Sequence, residues 1–164
     1  MNKKSLFPIL LLLVLFACTE NPFVKSGNTK KTPVKIEKGK YFCSSCKMPV
    51  DTLKYSAQAI EPNGDTYFFD DPGCVAIWLN KIDNKDSVKI WMYSLDTKRW
   101  IDGRKAYYSI VENTPMFYGF GAYENKQEGF INFNQMFLRM MRGENLTNPK
   151  IRKQILDNLK QNKN

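Results

Sequence analysis

The chain has 164 residues, four cysteines, seven methionines and no histidine, with 25 basic against 16 acidic side chains and a net charge of +9. That length supports one ordinary domain with a real core. The missing imidazoles exclude His-based acid–base catalysis and most mixed nitrogen–sulfur zinc sites.

Lys3 and Lys4 precede an almost unbroken apolar run, Leu6 to Phe16. A membrane span needs about 20 such residues, so this run suits a signal-peptide core instead. It ends in Leu15-Phe16-Ala17-Cys18, which resembles a bacterial lipobox. Residues 1–17 are therefore read as a lipoprotein signal peptide, with Cys18 the lipidated first residue of a 147-residue mature chain. Acyl chains contribute about 0.8 kcal/mol per buried CH2 and would hold the domain at a membrane surface. An ordinary secretory signal ending nearby is the plainer alternative.

Residues 18–40 read as lipid anchor and basic flexible tether, because 25–40 carries six lysines and one glutamate among Thr and Pro. The central stretch 41–138 holds ten basic and twelve acidic residues, and 139–164 seven basic against Glu144 and Asp157. Basic ends around a mildly acidic body argue against nucleic acid. They fit attraction to anionic headgroups, or simply solvated tails.

The folded body, 41–142, is expected to be α+β. Residues 55–60 and 66–69 read as strands joined by a turn at Asn63-Gly64. Asp71 is the expected N-cap of a helix with Pro72 at its first position, and Val75, Trp78, Leu79 and Ile82 form its apolar face. Val88–Ser94 alternates like a half-buried strand, and Thr97–Ile101 pairs with it. This makes a strand–strand–helix–strand unit, with a second such unit as one option further on. Tyr107–Val111 and Phe130–Phe133 read as strands, and Asn134 as the cap of a helix running to about Arg142. Residues 143–164 form a basic C-terminal segment whose helix starts at Asn148-Pro149, with Ile151, Ile155, Leu156 and Leu159 on one stripe.

Chemistry concentrates in Cys43-Ser44-Ser45-Cys46-Lys47-Met48. Two thiols and a thioether form a soft donor set, which selects Cu(I), zinc or iron–sulfur clusters over hard cations. In an extended loop Cys46 and Met48 project to the same side, and Met116 is the first choice for a third donor. Met92, Met136, Met140 and Met141 read as core filler. The same cysteines can instead close a structural disulfide in an oxidising compartment. They can also form a thioredoxin-like redox pair, although that motif normally opens a helix after a strand. Cys-x-x-Cys-Lys further resembles an atypical haem attachment motif, here without companion Cys-x-x-Cys-His sites. Asp70 and Cys74 belong to a helix start, with lining of a metal pocket as the functional alternative.

Several motifs then stand in order: Cys-x-x-Cys-x-Met at 43–48, Phe69-Asp70-Asp71-Pro72-Gly73-Cys74, Trp100-Ile101-Asp102 with Ala106-Tyr107, and Thr114-Pro115-Met116. Together with the lipobox, this set over residues 41–123 resembles the nitrous-oxide reductase accessory lipoprotein family, NosL. The resemblance implies a non-enzymatic, membrane-anchored protein facing the periplasm. It would bind Cu(I) and deliver it to nitrous-oxide reductase together with an ABC-transporter assembly complex. It also implies two small strand–strand–helix–strand units akin to the organomercurial lyase family. The metal ligands carried over are Cys46 and Met48, matching Cys-Gly-Met, and Met116, with Cys43 beside them. Two positions depart from the family pattern. Lys47 replaces the glycine, placing a cation expected to favour the Cys46 thiolate, and Tyr118 stands where relatives often carry a histidine. The alternative from another class is a periplasmic thiol–disulfide oxidoreductase using Cys43 and Cys46.

Overall fold

In a computed structural model, which describes residues 21–161, the chain forms two antiparallel sheets and three α-helices, an α+β arrangement. The signal segment and Cys18 lie outside the described residues.

The first sheet carries the site. Its strands are β1 (Val24–Lys25), β2 (Ala57–Ile60), β3 (Thr66–Phe69), β4 (Lys89–Tyr93) and β5 (Trp100–Asp102), in the order β1-β3-β2-β4-β5. β2 and β3 form the expected hairpin, with Ala57 opposite Phe69 and Gly64 in the turn at φ +89°. Helix α1 (Pro72–Leu79) follows, so β2-β3-α1-β4 is the expected strand–strand–helix–strand unit. β4 buries Ile90 and Met92 and leaves Lys89, Trp91 and Tyr93 half-buried, as its alternation requires.

Helix α1 departs from the one-faced reading. Pro72 to Ala76, Trp78 and Leu79 are all buried, because the helix is covered on several sides, by β2, β3 and helix α2 (Phe133–Met141). Ile82 lies beyond its end, where Asn80 is the C-cap. Trp78 packs on Tyr67 and Phe69, 4.6 and 5.7 Å between ring centres, which fixes α1 to one face of the sheet.

The other face is covered by the segment expected to be a flexible tether. β1 pairs with β3, and Asn28 donates to the Thr66 hydroxyl at 3.1 Å. Val34 exchanges two hydrogen bonds with the buried Gln58 amide (2.8 and 2.7 Å), Trp91 Nε1 donates to the Lys31 carbonyl at 2.8 Å, and Tyr41 stacks on Phe68. Composition indicated a solvated linker. The buried polar side chains of this sheet face supply the partners that hold it down as a strap.

The second sheet, order β7-β6-β8, contains β6 (Tyr107–Ser109), β7 (Gly121–Tyr123) and β8 (Ile131–Asn132). Helix α2 follows all three strands, so this unit runs strand–strand–strand–helix and does not repeat the first. The cap of α2 is Asn132 rather than Asn134: Asn132 and Gln135 form a reciprocal capping box with hydrogen bonds of 2.9 Å each. Asp96 joins the two sheets, accepting from the backbone N–H groups of Glu124 and Asn125 at 3.0 Å. Helix α3 (Pro149–Gln161) starts at Asn148, whose side chain accepts from Lys150 N–H, as expected. No helix among the described residues is long and apolar enough to cross a membrane.

Candidate metal centre

The isolated bridge Phe42–Pro49 closes residues 43–48 into a hairpin loop. Cys43 N–H donates to the Met48 carbonyl at 2.7 Å, and Lys47 N–H to the Cys43 carbonyl at 3.0 Å. This loop is turned, not extended. Lys47 sits at φ +69°, the left-handed region that favours glycine. Ser44 N–H donates to the Phe68 carbonyl at 2.8 Å, which docks the loop on β3 beside the point where Asp70 begins.

At the end of β3 two carboxylates divide the work. Asp71 caps α1, accepting from Gly73 N–H at 2.8 Å, and its second oxygen accepts from Met116 N–H at 3.1 Å. Asp70 is left free to face the loop, and the first turn of α1 brings Cys74 to the same point. The result is a group of Cys43, Cys46, Cys74 and Asp70 whose ligand atoms all lie within 4.8 Å of one another. Cys43 and Cys74 are fully buried and Asp70 nearly so, whereas Cys46 is half-buried at the edge. Tyr118 packs over Gly73 so closely that a Cβ there would fall 2.4 Å from its ring, so only glycine allows this wall beside Cys74.

The three cysteines are free thiols bound to one another and to Asp70. Cys46 Sγ donates to Asp70 Oδ1 at 3.2 Å, and Cys46 N–H points at Cys43 Sγ at 3.5 Å. Cys43 is lowered to about 7, first because Cys74 donates to its sulfur, against the opposing effect of burial. Cys74 is pushed far up, first because its proton is held in that hydrogen bond and then by burial. Burial pushes Cys46 up to about 12. The metal-free cluster therefore has one favoured thiolate, Cys43, cradled by two thiols.

Lys47 does not act on Cys46 as expected. Its ammonium donates to the Ser44 carbonyl at 3.0 Å and lies 4.4 Å from the centre of the Phe23 ring. Lys47→Gly should leave the alkylation rate of Cys46 unchanged within about twofold and raise stability by up to about 1 kcal/mol through relief of the left-handed backbone. Iodoacetamide kinetics and urea unfolding would check both.

The cluster fits a metal ion. Asp70 Oδ2 is buried without a hydrogen-bond partner, a costly arrangement that coordination to a cation would satisfy. Donors at about 2.3 Å from one ion lie about 3.8 Å apart in a tetrahedron, so the group needs to contract by less than about 1 Å. Of the residues singled out by sequence, Cys43 and Cys46 meet here. Met48 is 42% exposed beside Cys46, and its backbone N–H hydrogen-bonds the Cys46 sulfur. Met116 is tied by its backbone to Asp71 and packs half-buried against the core. Cys74 and Asp70, helix-start residues with lining of a metal pocket as their alternative role, complete the group.

This α+β fold presents a cluster of three cysteines and one aspartate able to hold a metal ion. No protein-family model matches the chain, and no curated protein matches it either.

Proposed function

We propose that the protein is an exported, membrane-anchored Cu(I) carrier that receives the ion at Cys46 and passes it on by ligand exchange. The observation that carries this reading is the convergence of three cysteine sulfurs, two sealed in the core and one at the surface. Cu(I) accepts two or three sulfur donors and needs no rigid cage. Cys43 and Cys74 would retain the ion, and Cys46 with the exposed Met48 would offer it to an incoming thiol or thioether. Asp70 holds Cys46 in place. Burial of Cys43 favours a ligand role over that of an attacking nucleophile, which needs an accessible thiolate. The ordered motifs shared with the NosL pattern support nitrous-oxide reductase and its ABC-transporter assembly complex as the recipients. The lipobox at Cys18 supports attachment to the membrane on the periplasmic side.

The carboxylate makes zinc the competitor to beat, since three thiolates and one oxygen suit a tetrahedral Zn²⁺. Anaerobic titration with a chromogenic cuprous chelator should give about one Cu(I) per chain and Cu(I) should displace zinc. No uptake of Cu(I), or retention of zinc against it, would refute the reading. Copper transfer to metal-free nitrous-oxide reductase in cells should be lost in Cys46→Ser.

A further inference from the structure

The strap that covers the first sheet is also the most basic part of the molecule. It enters at Pro22 and Phe23, which are fastened to the metal loop: Phe42 N–H donates to the Pro22 carbonyl at 2.9 Å and Ser44 Oγ to the Phe23 carbonyl at 2.8 Å. From there it crosses the sheet face opposite α1, held by Asn28, Lys31 and Val34. Lys25, Lys30, Lys35 and Lys38 are exposed along it. Glu37 lies 4.0 Å from Lys40, and Asp51 accepts from Gly39 N–H at 2.8 Å. The strap is thus a fixed outer layer bearing cations, not a tail that spreads them through solvent.

We infer that this lysine-bearing strap is a docking face for an anionic lipid surface, and that it sets the metal loop against the membrane. Charge admits an anionic partner, and position selects lipid over other polyanions. The charge is complementary to anionic headgroups. The strap also enters the fold five residues after Cys18, at the end of the apolar run, so the chain reaches at most about 17 Å from that cysteine to Phe23. Acyl chains on Cys18 would keep the strap at the bilayer, where each lysine near an anionic surface adds about 1 kcal/mol of attraction. Because Phe23 touches Ser44 and Lys47, the face that lies on the headgroups also holds the loop carrying Cys43 and Cys46. The recipient of the metal would then be met at the bilayer surface and not out in solution. The choice of lipid rests on the reading of Cys18 as the anchor, whereas the docking itself needs no copper, so it stands or falls separately from metal binding.

The test uses the processed chain with Cys18→Ser, which carries no acyl group, and phosphatidylcholine vesicles with and without about 30% phosphatidylglycerol. Binding should require the anionic lipid and weaken with salt. The triple variant Lys30→Gln, Lys35→Gln, Lys38→Gln should lose about 100-fold in partitioning. A charge-matched control on α3, Lys150→Gln, Arg152→Gln, Lys160→Gln, should lose less than about fivefold. Circular dichroism and copper stoichiometry should be unchanged in both, since all six side chains are exposed. Equal losses in the two triples would show a net-charge effect and overturn the docking face. So would equal binding to neutral vesicles, or tighter binding to duplex DNA at the same salt.

Discussion

Replacing Cys74 with serine should raise the dissociation constant for Cu(I) by at least about 100-fold, whereas Met48→Leu should cost no more than about tenfold. On the scale of structural zinc sites, where about 10–16 kcal/mol is shared over four donors, one donor is worth about 3 kcal/mol. Cys74 is one of the two donors sealed in the core, and serine preserves its size while removing the soft sulfur. Met48 stands at the solvent edge and offers an uncharged donor to an ion already held from within. Competition against a cuprous chelator under anaerobic, reducing conditions reads both numbers. A large loss with Met48→Leu or Met116→Leu and a small one with Cys74→Ser would return the site to the Cys46–Met48–Met116 set. The same titration carries a pH signature. With Cys43 near 7 and both other thiols raised, filling the cluster at neutral pH displaces about two protons. Affinity should fall about 100-fold for each unit of acidification below pH 8, and more steeply once Cys43 is protonated too.

Why one half of this site stood out in the sequence and the other only as an alternative to a helix start follows from where the contacts are made. Cys43 and Cys46 are neighbours along the chain, and their spacing announces them. The β2–β3 hairpin and the Asp71-Pro72 helix start are equally local, because a turn glycine and a capping carboxylate act within a few residues. Asp70 and Cys74 join the cluster only through the docking of residues 43–48 on β3, a contact across more than twenty residues. One signal was present: the pair Asp70-Asp71 supplies two carboxylates where a cap uses one. The strap failed the compositional reading because lysine-rich sequence says nothing of the buried Gln58 amide and Thr66 hydroxyl that bind it. Asn134 lost the α2 cap to Asn132 because only Asn132 has glutamine three residues later to complete the box. Lys47 misled through charge alone, since its backbone conformation turns the side chain toward Ser44 and Phe23.

Asp71→Ala should be the most destabilising single change near the site, lowering the unfolding free energy by about 3 kcal/mol at pH 5. The fully buried carboxylate caps α1 through Gly73 N–H and holds the Met116 segment through a second N–H. Loss of the cap costs about 1 kcal/mol, and the buried N–H left without a partner about 1–3 kcal/mol more. The carboxyl is raised from 3.8 to about 6, first by burial, partly opposed by the hydrogen bonds from Thr114, Gly73 and Met116. A folded-state value above the unfolded one means that its contribution is complete below about 4 and is lost as pH rises through about 6. The metal-free wild type should therefore lose about 1 kcal/mol between pH 5 and pH 7 on this account. Asp96 and Asp102 are shifted the opposite way, downward, by hydrogen bonds that outweigh their burial, and their contributions fade only in stronger acid, below about 4. Urea unfolding at pH 5, 6 and 7 with a chelator present isolates the window. In Asp71→Ala this contribution should vanish, so the deficit shrinks from about 3 to about 2 kcal/mol as pH rises. A pH-independent deficit, or one below about 1 kcal/mol, would mean that this carboxylate is not what fastens the Met116 segment to the start of α1.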